Sequence, residues 1–276
     1  MTDSIAVLGQ AMPTSGVILV TGTDTGVGKT VVSAAVASML TRHGVQAHIY
    51  KPVQTGLVST WDPRREDLQQ LYGDSMVLRG DAQVAGQLAG CSYSTGASFT
   101  LPMAPQAAAA GCESSLPTAG EHALRIQQLL HHHDVVIVEG AGGLVVDLGD
   151  HTLADIACQL QQLHLEVNIV VVARANLGTL NHTALTLEAL RHRGLHHVGV
   201  AIGSWPGHPT PVESSNRDQL ARSYSLVAVI PEGSGALDPE AFQAQTLNWF
   251  GQDQDNNPKA MLPWVAVPIV GSMRPY

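Results

Sequence analysis

The sequence predicts an α/β protein with a doubly wound, mostly parallel sheet and helices on both faces of the sheet, in a single domain. Two observations lead to this prediction. Short apolar runs alternate along the chain with longer segments that have the period of a helix. Apolar residues make up 45% of the chain and charged residues only 13%, which is typical of strands covered on both faces. The length of 276 residues is ordinary for one such domain.

The predicted elements follow one another in the order that such a sheet requires. The apolar runs predict buried parallel strands at 17–21, 47–50, 135–138, 168–173, 198–202 and 226–230. Segments of helical period predict helices at 29–43, 121–132, 153–163 and 179–193. Gly44 and Gly194 follow the first and the last of these helices, and glycine after a basic last turn is a typical helix stop.

The remaining segments set the expected boundaries of the domain. Residues 59–119 contain several prolines and are expected to form loops and short helices above the carboxyl edge of the sheet. Residues 1–15 are expected to be a flexible N-terminal extension, and residues 16–250 the domain itself. Residues 251–276 are interpreted as a C-terminal tail, either loose or docked.

Composition excludes several classes of partner. The chain has 14 Lys and Arg against 23 Asp and Glu, for a net charge of −9, and no cluster of basic residues. This argues against nucleic acid and anionic membranes as partners. The three cysteines form no CxxC pair, which fits a reducing cytoplasm. No apolar run is long enough to span a bilayer, and a secretory signal is not expected.

A glycine-rich turn, GTDTGVGKT at 22–30, lies between the first predicted strand and the first predicted helix. Glycines allow backbone N–H groups to converge on phosphate oxygens, and a helix N-terminus adds about half a positive charge. Lys29 can reach the terminal phosphates, and Thr30 can hold Mg²⁺. The turn therefore predicts a P-loop that binds a nucleotide, although Thr23 stands where the strict motif has Gly. The alternative is a glycine-rich turn with an incidental lysine.

Three further segments place charged or hydroxyl groups near the same edge of the predicted sheet. Lys51 and Thr55 follow the second strand, and Glu139 with a glycine-rich turn follows the third. A second carboxylate beside a P-loop commonly anchors Mg²⁺. Asp67, in the charged segment 64–68, is a further candidate for a metal ligand. Each has a plainer interpretation: a solvated loop lysine, a bystander glutamate, and a charged helix start.

Taken together, these motifs resemble one family, the dethiobiotin synthetases. The motifs are TGTDTGVGKT, KPVQTG, Glu-Asp-Leu at 66–68, VEGAGG and LGTLNH, in the order and spacing of that family. The resemblance covers roughly residues 16–250 and is more specific than any single motif.

The resemblance implies a homodimeric ligase of biotin biosynthesis. In this family 7,8-diaminopelargonic acid reacts with CO₂ to give a carbamate, and the carbamate attacks the γ-phosphate of ATP. The resulting carbamic-phosphoric anhydride closes to the cyclic urea of dethiobiotin, with release of ADP and phosphate. Phosphoryl transfer of this kind depends on positioning and charge neutralisation, so no protein nucleophile is expected.

The resemblance also implies roles for individual residues. Lys29 and Lys51 would stabilise the charge on the reacting groups, while Thr25 and Thr55 would hydrogen-bond them. The implied metal ligands are Thr30, Asp67 and Glu139. The implied nucleotide contacts are Thr25, Gly26, Val27, Gly28, Lys29, Thr30, Glu139, Gly140, Gly142 and Gly203. The implied substrate contacts are Thr55 and, across the dimer interface, Leu177, Gly178, Thr179, Leu180 and Asn181 at a helix N-terminus.

The chain departs from the family pattern at two places that bear on the site. Many members have Glu where this chain has Gly26, so a contact made by that Glu is absent or supplied elsewhere. Many also read adenine with an Asn-containing segment where this chain has Gly203-Ser204-Trp205-Pro206. The nucleotide preference therefore stays open at this point.

A different class of function is the main alternative. A ParA/MinD-like switch ATPase shares the predicted sheet and a related P-loop, but its loop carries an extra lysine near the first glycine, and that lysine is missing here. A cobyrinate synthetase would need an added glutaminase domain, for which the chain is too short. The run His131-His132-His133 is interpreted as a solvated helix end, because consecutive helical residues point in different directions.

Overall fold

The computed structural model describes residues 4–7 and 10–250 of the chain. Its centre is a seven-stranded sheet in the order β5-β4-β6-β3-β7-β8-β9, with every neighbouring pair parallel. The described residues form the strands β1 (Ser4–Val7), β2 (Gln10–Pro13), β3 (Gly16–Gly22), β4 (Ala47–Gln54), β5 (Ser92–Ser98), β6 (Val135–Gly143), β7 (Val167–Ala173), β8 (His197–Trp205) and β9 (Leu226–Pro231).

Helices connect the parallel strands and cover the sheet. They are α1 (Lys29–Arg42), α2 (Arg65–Tyr72), α3 (Asp81–Ala89), α4 (Pro105–Gly111), α5 (Ala119–Leu129), α6 (Leu153–Gln162), α7 (Thr179–His192), α8 (Pro211–Ser223) and α9 (Pro239–Thr246), with short 3₁₀ turns at Gly73–Ser75, Ser234–Ala236 and Leu247–Trp249. No helix among residues 4–7 and 10–250 combines the length and apolar character needed to cross a bilayer.

Two hydrophobic cores lie on opposite faces of the sheet, because alternate strand residues point to opposite sides. Ile18 and Val20 belong to the core under α1, α3 and α9. Val17 and Leu19 belong to the core under α4, α5, α6, α7 and α8. The predicted doubly wound sheet with helices on both faces is confirmed, and the six predicted strands and four predicted helices are all present.

One strand of the seven-stranded sheet was not expected from the sequence. β5, at the edge of the sheet, lies inside the segment 59–119 that was expected to contain only loops and short helices. Its sequence is SYSTGAS, and most of its residues are exposed. An edge strand of this kind pairs through its backbone, so it carries no apolar run for sequence analysis to detect.

The two ends of the chain differ from the central domain. β1 and β2 form an antiparallel pair within the predicted N-terminal extension, and the flexibility of that extension stays a prediction. The predicted C-terminal tail, 251–276, lies outside the described residues.

Candidate active site

The glycine-rich turn lies between β3 and α1, as predicted, and is seated against β8. Gly28 is the N-cap of α1 and has φ 94°, a conformation that favours glycine. A Cβ atom on Gly28 would lie 2.5 Å from the carbonyl oxygen of Gly203, and a Cβ atom on Gly203 would collide with the carbonyl oxygen of Val27. The P-loop and β8 therefore approach so closely that both positions require glycine.

Lys29 begins α1 and supplies positive charge at the bottom of this loop. Its side chain is buried, and its Nζ atom donates to the carbonyl oxygen of Asp24 at 3.0 Å. Burial and the nearby Lys51 ammonium lower the pKa of Lys29 to about 8. An anionic phosphate beside this ammonium would favour its charged form, so the geometry suits a phosphate ligand.

Lys51 lies inside β4 and is surrounded by oxygen atoms. Its Nζ atom is 2.9 Å from Oε1 of Glu139, 3.1 Å from the carbonyl oxygen of Gly140 and 2.6 Å from Oδ2 of Asp81. Burial alone would lower the pKa of Lys51, but the carboxylates of Glu139 and Asp81 outweigh it and raise the pKa above its usual value. A buried cation is thus held in its charged form by two carboxylates.

Glu139 joins this cluster to the P-loop. The Oγ1 atom of Thr30 donates to Oε1 of Glu139 at 2.9 Å. The other carboxylate oxygen, Oε2, is buried and has no hydrogen-bond partner. The Thr30 hydroxyl and the two carboxylates of Glu139 and Asp81 are oxygen ligands of the kind that Mg²⁺ prefers. The described residues contain no cluster of three or more His, Cys, Asp or Glu that could hold a metal ion, so a metal here would also need the Thr30 hydroxyl or ligands from outside the protein.

A cavity of about 720 Å³ opens above these groups. Nine of the predicted site residues line it: Thr25, Gly26, Gly28, Lys29, Thr30, Lys51, Thr55, Glu139 and Gly142. The rest of its lining is Val53, Gln54, Ser75, Val77, Asp81, Pro102, Met103, Ala104, Pro105, Ala141 and Val146. The cavity therefore offers both phosphate-binding groups and apolar surface to one occupant.

Other predicted residues lie next to the cavity without lining it. Val27 is a buried residue of the P-loop itself, and Gly203 packs against the backbone of that loop. Gly140 contributes its carbonyl oxygen to Lys51. The glycine-rich segment that begins at Gly140 is still part of β6, which continues to Gly143, whereas the sequence predicted a turn there.

Asp67 is not brought to the site. It lies on α2, a helix with no buried residues, and it is exposed and absent from the cavity lining. The carboxylate that contacts Lys51 is instead that of Asp81, in the first turn of α3. The expectation that Asp67 stands beside Thr30 and Glu139 is corrected accordingly. A detectable signal existed, because Gly80-Asp81 opens a segment of helical period whose apolar positions are buried.

The segment 177–181 includes the start of α7, and none of its residues lines the cavity of its own chain. Gly178 is the N-cap of α7 with φ 94°, and the Leu177 side chain is 82% exposed. Leu180 and Asn181 occupy the first turn, where backbone N–H groups lack helical partners. The predicted substrate contact of this segment, across a dimer interface, stays a prediction.

Arg174 is a charged neighbour of the P-loop that sequence analysis missed. It follows β7 and forms an ion pair with Asp24, which also accepts the N–H of Thr25 at 2.7 Å. The Thr25 N–H, together with the Arg174 guanidinium, holds the pKa of Asp24 below its usual value despite some opposing desolvation. Arg174 thereby ties the P-loop to the carboxyl end of β7.

The chain is similar in sequence to proteins that are already known. A family model described as an AAA domain matches residues 16–235. The ATP-dependent dethiobiotin synthetase BioD of Mycobacterium avium (strain 104) is 42% identical over 239 residues, covering 86% of this chain and 96% of that protein. The protein of the same name from Mycobacterium tuberculosis (strain CDC 1551 / Oshkosh) is 40% identical over 242 residues, again covering 86% and 96%.

Solved structures give a weaker likeness. The septum site-determining protein MinD complexed with Mg-ADP from Pyrococcus horikoshii OT3 is 16% identical, with a TM-score of 0.49. The likeness covers 84% of this chain and 93% of that chain.

Proposed function

The chain belongs to the dethiobiotin synthetase family, and on that premise we propose that its cavity binds ATP together with 7,8-diaminopelargonic acid. The family resemblance inferred from the sequence motifs is confirmed by relatives that match over most of the chain. The protein is accordingly a ligase that makes dethiobiotin in an ATP-dependent reaction. The observation that carries the proposal for the site is the buried contact of Lys51 with Glu139 and Asp81 beside the P-loop.

The proposed reaction proceeds through two covalent intermediates. One amine of the substrate adds to CO₂ and loses a proton, which gives a carbamate. A carbamate oxygen then attacks the γ-phosphorus of ATP, the bond to the bridging oxygen breaks, and ADP leaves with that electron pair. The second amine attacks the carbonyl carbon of the mixed anhydride, phosphate leaves, and the ring closes as the amine loses its proton.

Lys29 and Lys51 would neutralise the negative charge that the γ-phosphate and the carbamate bring together. Both side chains are buried, where electrostatic interactions are stronger than in water. They are placed before the reaction begins, so little reorganisation is needed in the transition state. Thr25 and Thr55 line the cavity and would hydrogen-bond the reacting groups.

The oxygen ligands fit Mg²⁺, and we propose that Thr30, Asp81 and Glu139 hold it. The unpaired Oε2 of Glu139 is the observation that supports this fit. When bound, Mg²⁺ would neutralise charge on the β- and γ-phosphates. Asp67 has no part in this proposal, because it is exposed on α2.

The apolar part of the cavity lining suits the methylene chain of the proposed substrate. Val53, Val77 and Met103 present hydrophobic surface next to the polar groups. The substrate carboxylate would bind to the start of α7 in a second copy of the chain, which requires a homodimer. The exposed position of Leu177, away from its own cavity, supports this arrangement.

Phosphate release tests the proposal. The full chain is incubated with ATP, Mg²⁺, 7,8-diaminopelargonic acid and bicarbonate, and each component is omitted in turn. We expect release only with the complete mixture, and a large loss in Lys51→Ala. Arg79→Ala, which removes an exposed cation preceding α3, is the matched control and should keep the rate.

The outcomes separate the two classes of function. Phosphate release that is indifferent to the diamine would overturn the assignment and favour the switch ATPase, which the relatives do not favour. An unchanged rate in Lys51→Ala would overturn only the role given to Lys51.

A further inference from the structure

Gln54 is a buried polar residue of the cavity that none of the proposed steps uses. It is the last residue of β4, the strand that also carries Lys51, and its side chain is only slightly exposed. Its Nε2 atom donates to the carbonyl oxygen of Thr55 at 2.8 Å, and its Oε1 atom accepts the backbone N–H of Asp81 at 2.8 Å. One amide thus contacts the backbone of two residues that line the cavity.

We infer that Gln54 is a positioning residue, which fixes the carboxylate of Asp81 by holding the first N–H of α3. The inference rests on the proposed function, because it concerns the part that Asp81 plays there. It concerns placement alone, since Gln54 itself is not required to contact a reacting atom.

The start of α3 needs such an external partner. Its N-cap is Gly80, which makes no side-chain capping hydrogen bond because glycine has no side chain. The N–H groups of the first helical turn lack partners within the helix, and a buried unpaired N–H is costly. The Gln54 amide supplies the missing acceptor for Asp81 from a neighbouring element.

The packing around the amide fits this role. A Cβ atom added to Gly80 would lie 3.4 Å from Oε1 of Gln54, so the amide lies directly against the glycine. Gln54 and Lys51 lie on the same strand and both contact Asp81. Gln54 accepts the backbone N–H of Asp81, and Lys51 pairs with the Asp81 carboxylate. The Asp81 side chain is 35% exposed, so packing alone does not immobilise it.

Loss of the Gln54 amide should weaken metal binding, beyond any effect on folding. If the amide is lost, α3 keeps its buried apolar residues, but the Asp81 backbone loses its anchor. Loss of a partner that orients a metal ligand typically weakens metal binding by about tenfold or more. The concentration of metal ion needed for half-maximal activity should therefore rise more than kcat falls.

The test compares three variants of the full chain. Gln54→Met keeps the length and removes the amide. Gln54→Asn keeps an amide but shortens the side chain, so its oxygen no longer reaches the N–H of Asp81. Gln243→Met is the matched control, because Nε2 of Gln243 donates to the carbonyl oxygen of Leu88 at 3.1 Å, near the other end of α3.

Mn²⁺ binding in the presence of ADP is measured by electron paramagnetic resonance, and kcat is measured against metal concentration. We expect both Gln54 variants to raise the Mn²⁺ dissociation constant by about tenfold or more, and Gln243→Met to leave it unchanged. Wild-type affinity in a folded Gln54 variant would overturn the inference, as would an equal loss in Gln243→Met. If Gln54→Met does not fold, Gln54→Asn decides by the same criterion.

The failure of this inference is distinguishable from failure of the proposed function. Wild-type protein that releases no phosphate in response to the diamine would contradict the proposed function. Wild-type protein that does respond, beside Gln54 variants with unchanged metal binding, would contradict the positioning role alone.

Discussion

The ammonium of Lys51 lies 2.6 Å from the carboxylate of Asp81, and this ion pair joins β4 to the first turn of α3 at the edge of the cavity. The same ammonium contacts Glu139 at 2.9 Å. Glu139 in turn accepts a hydrogen bond from Thr30 of the P-loop. Elements that are distant in sequence therefore meet in one charged cluster.

Asp81→Asn should weaken Mg²⁺ binding by at least about tenfold, because it removes a proposed metal ligand rather than a partner of one. Asp67→Asn is the matched control, because Asp67 is an exposed aspartate outside the cavity lining. Activity as a function of Mg²⁺ concentration gives the comparison. An equal effect of the two substitutions would contradict the assignment of Asp81.

Gly203→Ala should lower kcat/KM on the order of a hundredfold, because displacing a phosphate-binding loop by about an ångström is costly to catalysis. The new Cβ atom would collide with the carbonyl oxygen of Val27 and push the P-loop off β8. Gly207→Ala is the control, since a Cβ atom there meets no atom within 4 Å. If both variants retain wild-type kcat/KM, the close approach of Gly203 to the P-loop does not matter for catalysis.

Nucleotide binding should take up a proton above pH 8. The pKa of Lys29 is about 8 in the free protein, because burial and Lys51 disfavour its charge. Bound phosphate favours the charged form and raises this pKa, so affinity should be full below pH 8 and fall as pH rises above it. Calorimetry of ATP-analogue binding in two buffers with different ionisation enthalpies measures the uptake. Equal heats in both buffers at alkaline pH would contradict this coupling.

Stability should fall on acidification. Burial, together with a second histidine in each case, lowers the pKa of His48 and of His122 from 6.5 to about 4. Each ring is neutral in the folded protein and takes up a proton more readily when unfolded, so stability is kept above pH 6.5 and lost as pH falls towards 4. Urea unfolding at a series of pH values measures the loss.

Two histidine substitutions test this pH dependence: one removes a buried histidine and the other is a control at an exposed histidine. His48→Asn should reduce the loss of stability per pH unit in the acid range, while His208→Asn, at an exposed position, should leave it unchanged. If the free energy of unfolding falls equally per pH unit in the wild type and in both variants, His48 makes no contribution to the pH dependence.

The sequence was most informative where a functional group is attached to a strong local signal. The P-loop follows an apolar strand and precedes an apolar helix, so both its position and its glycines were recognisable. Lys51 and Glu139 were found in the same way, because each directly follows an apolar run that predicts a strand, although the structure places both residues inside the strands.

The structure places Asp81 rather than Asp67 at the cavity, and the sequence could not show this for a physical reason. Between β4 and α3 the chain makes an excursion that includes α2, and it returns to the cavity at Ser75 and Val77. The number of residues in an excursion does not say which of its carboxylates comes back to the site. Backbone hydrogen bonds from the N–H of Val58 to the carbonyl oxygen of Val77 (2.9 Å) and from the N–H of Val77 to the carbonyl oxygen of Gly56 (2.8 Å) close the excursion, and Asp81 then contacts Lys51.

Product formation by the purified protein tests the proposed function most directly. The protein is incubated with ATP, Mg²⁺, 7,8-diaminopelargonic acid and isotopically labelled bicarbonate, and the products are analysed by mass spectrometry. We expect dethiobiotin that carries the label in its ureido carbonyl, formed in equal amounts with phosphate. Phosphate release without labelled dethiobiotin would contradict the proposed function.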